Sequence, residues 1–197
     1  MDDNATEETR FARLVSLACH DLRTPLATVV GFAHTLTRQG ELEEPAARYV
    51  GMIAAAAEQL GELVDELSLG ARIEAGRYDP VRREADTLEL ARAAARQLGE
   101  ERVAVSGEGA AIETDVDATE RSVAALAQCA LRHGGLEQVG LEVRGAQLEL
   151  SPVTKSSAPV LLGDELRDLG AAVAGIAIRA QGGSLELDGE TLTIRLG

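Results

Sequence analysis

From Phe11 onward, apolar residues fall at Val15, Ala18, Leu22, Leu26, Val29, Ala33 and Leu36. The steps of three and four are those of one face of a long helix packed in coiled-coil fashion. After a break at Gln39-Gly40 and Pro45 the rhythm resumes at Val50, Ile53, Ala57, Leu60, Val64, Leu67 and Ala71. The joining segment is short, with Glu41, Glu43 and Glu44 reading as a solvated loop and helix start, so the two helices must run antiparallel. Two stripes of this length bury poorly against each other alone. A second copy of the hairpin would complete a dimeric four-helix bundle, and the alternative is a monomeric hairpin lying on the C-terminal half.

The pattern changes at the turn signal Asp79-Pro80, which divides the chain into residues 1–77 and 78–197. Asp86 is placed to cap a helix through about Leu98, with Leu88, Ala91, Ala95 and Leu98 on one face. Strand-like stretches follow at Arg102 to Ser106 and Ala111 to Thr114. Asp117 to Glu120 has the form of a capping box opening a helix through about His133. Gln138 to Val143 and Gln147 to Leu150 alternate as a hairpin about Arg144-Gly145-Ala146. A helix over Asp164 to Gln181 precedes a last strand pair, Ser184 to Leu187 and Thr191 to Leu196. Helices and an antiparallel or mixed sheet in this order predict a small α/β sandwich, making the whole chain α+β.

Composition narrows the chemistry. Hydrophobic residues are 45% of the chain but aromatic ones only 2%, so any core is built of Leu, Val, Ile and Ala. With 19 basic and 33 acidic residues the formal charge is −14, which repels nucleic acid and anionic lipid. No run of about 18 apolar residues offers a spanning helix, and the acidic N-terminus does not read as a signal peptide, so no membrane insertion and a cytoplasmic location are expected. Cys19 and Cys129 belong to no C-x-x-C or Cys/His spacing, so neither a disulfide framework nor a metal site is expected. Cys19 and His34 read as bystanders on the hairpin surface or its margin, and His133 as a structural residue near a helix end. The Gly134-Gly135 and Gly182-Gly183 pairs read as helix C-caps rather than phosphate loops.

Within the first helix lies His20-Asp21-Leu22-Arg23-Thr24-Pro25-Leu26. Leu22 and Leu26 belong to the apolar stripe, which turns His20 toward solvent. A neutral imidazole has a nitrogen lone pair free to attack phosphorus. Asp21 could hold the other nitrogen's proton and stabilise growing positive charge. Thr24, one turn on, could orient a water or phosphoryl oxygens, and Arg23 adds a nearby positive charge. Pro25 costs about 3 kcal/mol in a helix interior and frees the Asp21 carbonyl, so a functional return is the better explanation of its presence.

HDLRTPL, preceded by FARLVSLAC and followed by ATVVGFAHTL, resembles the H-box of bacterial sensor histidine kinases, in their dimerisation and histidine-phosphotransfer domain. The resemblance runs through Leu67 to Gly76 and covers roughly residues 8 to 77. It implies that His20 is the phosphoacceptor, that Asp21 assists transfer, and that Thr24 matches the position used to dephosphorylate a partner. It also implies that Ala27, Thr28, Gly31 and Thr35 help receive a response-regulator receiver domain.

The C-terminal half is similar in order to the family's catalytic, ATP-binding domain, but departs from its pattern. Cys129 occupies the place of the magnesium-binding asparagine, and a thiol is a poor ligand for a hard cation. No Asp-x-Gly-x-Gly follows Leu148 to Pro152, Asp168 stands where the glycine loop should begin, and Pro152 to Gly163 is short for a nucleotide lid. The domain therefore reads as degenerate, its ATP and Mg2+ site lost, with no cofactor of its own; the partner receiver would need Mg2+. The leading functional expectation is histidine phosphotransfer in a two-component phosphorelay by a homodimer, His20 exchanging its phosphoryl group with receiver aspartates. The alternatives are an autophosphorylating kinase with an atypical ATP site, and a non-catalytic dimeric module that binds a kinase or response regulator.

Overall fold

The computed structural model describes the backbone of residues 2–40 and 42–197 and the side chains of residues 11–40 and 42–197; Glu41 lies outside the described residues. The chain forms two compact units, Met1–Arg77 and Tyr78–Gly197.

The first unit is an antiparallel pair, α1 (Asp2–Gln39) and α2 (Ala46–Glu74). Helix α1 continues through Pro25 and ends before Gly40, whose positive φ of 68° suits a residue without a Cβ. The face α1 turns to α2 is not the stripe expected from the sequence. Ala12, Cys19 and Ala33 are buried, and Ser16, Leu26 and Val30 half-buried, which together mark a seam on one flank of that stripe. In α2 the seam runs through Ala47, Val50, Ala54, Ala57, Gly61, Val64, Ser68 and Ala71, all buried or half-buried. Leu22, Val29 and Leu36 in α1, and Ile53, Leu60 and Leu67 in α2, are left 40 to 52% exposed. The expected stripes thus mix two faces: small residues closing the hairpin, and larger ones facing outward beside them. Cys19, expected at the surface or margin, lies instead in the seam at 1% exposure. Small side chains at these positions let the helix axes approach closely.

The second unit begins with β1 (Arg82–Asp86) and α3 (Thr87–Leu98), followed by β2 (Val103–Gly109), β3 (Ala111–Asp115) and α4 (Val116–Gly134). Then come β4 (Val139–Gly145), β5 (Gln147–Ser151), α5 (Ala158–Leu162), α6 (Leu169–Ala180), β6 (Ser184–Asp188) and β7 (Thr191–Arg195). Five strands form a mixed sheet in the order β2-β4-β5-β7-β6, with β2 and β4 parallel and the other neighbours antiparallel. Strands β1 and β3 pair separately, antiparallel. Alternation puts Val139, Leu141, Val143, Leu148, Leu150, Leu192 and Ile194 on one sheet face, where they share a core with α3, α4, α5 and α6. Register aligns them in rows: Val143 opposite Leu148 opposite Ile194, and Leu141 opposite Leu150 opposite Leu192. The result is the expected α/β sandwich.

Caps explain most of the boundaries. The Asp86 side chain accepts from the N–H groups of Leu88 and Glu89, as the sequence suggests. At α4 the cap is Asp115, not Asp117: its carboxylate accepts from Ala118 N–H, and Asp117 sits exposed in the first turn. Helix α6 starts at Leu169, five residues later than expected, because Asp168 caps it and the preceding chain forms α5 and a connecting loop. Gly135 closes α4 in the left-handed conformation, and Gly183 N–H donates to the Ile178 carbonyl at the end of α6, so both glycine pairs terminate helices.

Gln181 joins three elements. Its Oε1 accepts from Thr114 Oγ1 and from Asp115 N–H, each at 2.9 Å, and Thr119 Oγ1 donates in turn to Thr114 Oγ1 at 2.8 Å. Its backbone carbonyl accepts from Arg82. Gln181→Leu removes the acceptor and leaves a buried hydroxyl and an N–H without a partner, so urea denaturation should show a loss of about 1–3 kcal/mol. Both thiols are buried, and burial pushes Cys19 above its ordinary pKa against the opposing pull of Arg23. A charged thiol reagent at neutral pH should therefore titrate neither cysteine in the folded protein and both after unfolding; rapid reaction in the folded state would place a thiol at the surface.

Candidate functional site

Helix α1 has a third face. His20, Thr24, Ala27, Thr28, Gly31 and Thr35 succeed one another along it at helical spacing, and all are exposed. The imidazole of His20 is therefore open to solvent, next in sequence to the buried seam residue Cys19. Asp21 is exposed beside it, but among the described residues no hydrogen bond joins the two, as expected for adjacent helical positions whose side chains diverge. Thr28 Oγ1 donates to the Thr24 carbonyl at 3.0 Å, and Thr35 Oγ1 to the Gly31 carbonyl at 2.7 Å. Both hydroxyls thus fold back on the helix and present methyl groups outward. A Cβ on Gly31 would meet nothing within 4 Å, so this part of the face is flat and unobstructed.

Arg23 is not a loose charge near His20. Its Nε lies 2.8 Å from Asp65 Oδ1 on α2, which directs the guanidinium across the hairpin. A second cross-hairpin pair, His34 Nε2 with Glu58 Oε1 at 2.9 Å, gives His34 a structural contact where a bystander was expected. Both pairs are about half exposed, and such pairs contribute about 0–1 kcal/mol each. Their main effect is to fix the register of α1 against α2, and with it the outward direction of His20.

In the second unit, helix α4 and the start of α6 bring together Cys129, His133 and Asp168. Cys129 and His133 share a face of α4 one turn apart. Asp168 divides its oxygens: Oδ1 accepts from Ala171 N–H at 3.0 Å to cap α6, while Oδ2 lies 3.2 Å from His133 Nε2. Desolvation, and secondarily the Asp168 charge, push the Cys129 thiol up to about 12. The sequence analysis finds no Cys/His spacing at Cys129; the docking of α4 on α6 brings His133 and Asp168, 35 residues apart, beside it.

Short helix α5 completes this region. Val160 and Leu161 are buried in the common core, and Ser156 Oγ donates to the His133 carbonyl at 2.9 Å, tying the segment after β5 to the end of α4. Among the described residues no helix is long and apolar enough to cross a membrane.

The model of the His Kinase A (phospho-acceptor) domain matches residues 12–76. The probable sensor histidine kinase TcrY of Mycobacterium tuberculosis is 37% identical over 70 residues, 36% of this chain and 15% of TcrY. Over that stretch the chain spans only a small part of its relative's length. Among solved structures, full-length ShkA in complex with AMPPNP gives a TM-score of 0.65 at 19% identity, covering 92% of this chain and 44% of ShkA. The Acinetobacter baumannii histidine kinase AdeS gives 0.57 at 16% identity, covering 90% of this chain and 97% of AdeS. At such identities the likeness is one of fold. Residues 12–76 thus match the His Kinase A phospho-acceptor domain, and the hairpin and the α/β unit have the fold of a histidine kinase core.

Proposed function

We propose that the protein is a histidine phosphotransferase of a two-component phosphorelay, acting as a homodimer. The observation that carries this reading is the exposure of His20 within a phospho-acceptor domain, at the head of a flat helical face. In the proposed step a lone pair of the neutral imidazole forms an N–P bond while the P–O bond to a receiver aspartate breaks, and that aspartate leaves as a carboxylate. Reversal passes the group to a second receiver. Positive charge grows on the ring, and the carboxylate of the adjacent Asp21 offsets it; a docked receiver that excludes water strengthens this attraction. Thr24 stands one turn further along, where it can orient a hydrolytic water. Arg23 positions the helix through Asp65 rather than acting on phosphate. Ala27, Thr28, Gly31 and Thr35 offer the small, uncluttered surface a receiver helix needs.

The residues of the α/β unit fit Mg2+-ATP poorly, which supports a carrier rather than a kinase. Where the family places an asparagine, α4 carries buried Cys129, a soft donor unsuited to Mg2+. Asp168 sets a carboxylate at the α6 N-terminus, an end that otherwise favours phosphate. Val160 and Leu161 of α5 direct apolar bulk into the core beside it. The autokinase reading is favoured by the fold likeness to ShkA, whose structure contains AMPPNP. It requires ATP-dependent labelling of His20, and calorimetry with no heat of binding at millimolar ATP eliminates it.

Dimerisation is supported by the outward apolar stripes of both helices, which include Leu22, Val29, Phe32, Leu60 and Leu63. Leu60→Asp should convert a dimer to a monomer in sedimentation velocity while the helical signal is kept. Incubation with a phosphorylated receiver should give acid-labile label on the wild-type chain and none on His20→Ala; the absence of transfer from every receiver of the same genome would defeat the proposal.

A further inference from the structure

Cys129, His133 and Asp168 each offer one donor atom, and the three atoms lie within 4.8 Å of one another. They are a sulfur, an imidazole nitrogen and a carboxylate oxygen, drawn from two helices that pack in the same core. We propose that Cys129 Sγ, His133 Nε2 and Asp168 Oδ2 bind a Zn2+ ion that clamps the C-terminal half of α4 to the start of α6.

The donor set selects the ion. Zinc takes thiolate, imidazole and carboxylate at about 2.0–2.3 Å, which sets tetrahedral ligands roughly 3.5 Å apart. The His133 Nε2 and Asp168 Oδ2 atoms are already 3.2 Å apart, and the third donor lies within 4.8 Å of both. Calcium and magnesium want six or more oxygens, and a single carboxylate does not supply them. Charge also matches. A dication with one thiolate and one carboxylate is neutral, so the buried cluster carries no net charge. On binding, the Cys129 proton goes to solvent and the His133 hydrogen moves from Nε2 to Nδ1 by tautomer exchange.

The surroundings are those of a held site. The Asp168 carboxylate is oriented by its cap bond to Ala171 N–H, and the end of α4 is pinned by Ser156 at the His133 carbonyl. The Cys129 thiol makes no hydrogen bond among the described residues, so the ion gives it its polar partner. The side chains of His133 and Asp168 keep 20% and 13% exposure, so the cluster reaches solvent on their side. Two of the three donors already touch, so binding replaces one hydrogen bond.

The test uses the untagged full chain, stripped with chelator and titrated with Co2+ as a spectroscopic probe. A single equivalent should produce thiolate-to-cobalt charge-transfer absorption and the visible bands of tetrahedral Co2+, both abolished by one equivalent of Zn2+. The bands should persist in Cys19→Ala and in His20→Ala, which separates this site from the phosphotransfer reading, and vanish in Cys129→Ala. Asp168→Asn keeps an oxygen for the α6 cap and should weaken Co2+ binding at least tenfold. Zn2+ should raise the melting temperature of the wild type and leave that of His133→Asn unchanged. Absence of charge-transfer absorption in the wild type with excess Co2+ would overturn the proposal without reference to any variant. Bands that survive Cys129→Ala and disappear in Cys19→Ala would do the same.

Discussion

The close packing of α1 against α2 is the constraint on which the rest of the hairpin depends. Ala12, Cys19 and Ala33 on α1 meet a seam on α2 that includes Ala54, Ala57 and Gly61. Once this face of α1 is assigned to α2, the remaining circumference divides into two parts with opposite character. One carries Leu22, Val29, Phe32 and Leu36, too much exposed apolar surface for an isolated helix pair. The other carries His20 and the small residues beyond it. Rotating α1 by one residue would bury His20's flank and expose the seam, so the outward imidazole is a consequence of hydrophobic register. Arg23 with Asp65 and His34 with Glu58 oppose the same rotation from the seam's edges.

In the α/β unit the equivalent constraint is polar. The apolar rows across β4, β5 and β7 supply the bulk of the core, but they would tolerate some sliding of helices over them. Gln181 does not. One carbonyl oxygen accepts from both Thr114 and Asp115, at the point where β3 gives way to α4, and the residue itself ends α6. The same Asp115 caps α4 and accepts from the Tyr78 hydroxyl. The ends of two helices and a strand are thereby held to a few shared atoms, and α4 reaches α6 in a fixed register along its length.

The elements were legible where periodicity and caps agree. The hairpin, the β4–β5 and β6–β7 pairs and the Asp86 cap all follow from local pattern. What the pattern could not show was which of two adjacent stripes closes the hairpin. Alanine, serine, cysteine and glycine carry weak hydrophobic signals, so the stripe of larger residues dominated, although those residues are the ones left exposed. The start of α4 was misplaced because Asp115 and Asp117 are both competent caps, and only the pairing of β3 with β1 decides between them. Strand β1, Arg-Arg-Glu-Ala-Asp, has no alternating apolar face, so it was invisible until its partner was known. Short α5 was hidden for a similar reason: five residues are too few to show a period.

The site residues differ in legibility for a chemical reason. His20 and its neighbours lie on one helix, so one stretch of sequence contains the whole arrangement. The Cys129, His133 and Asp168 cluster needs two helices docked in register, and each member alone reads as a loss or a bystander. Asp168 shows how one side chain can serve two neighbours. Its Oδ1 does the work of any good helix cap, so α6 begins where it should. Its Oδ2 is left over, and the docking of α4 on α6 delivers it to His133. A residue placed for capping thus also brings a carboxylate oxygen to the end of α4, and one side chain links the boundaries of two helices.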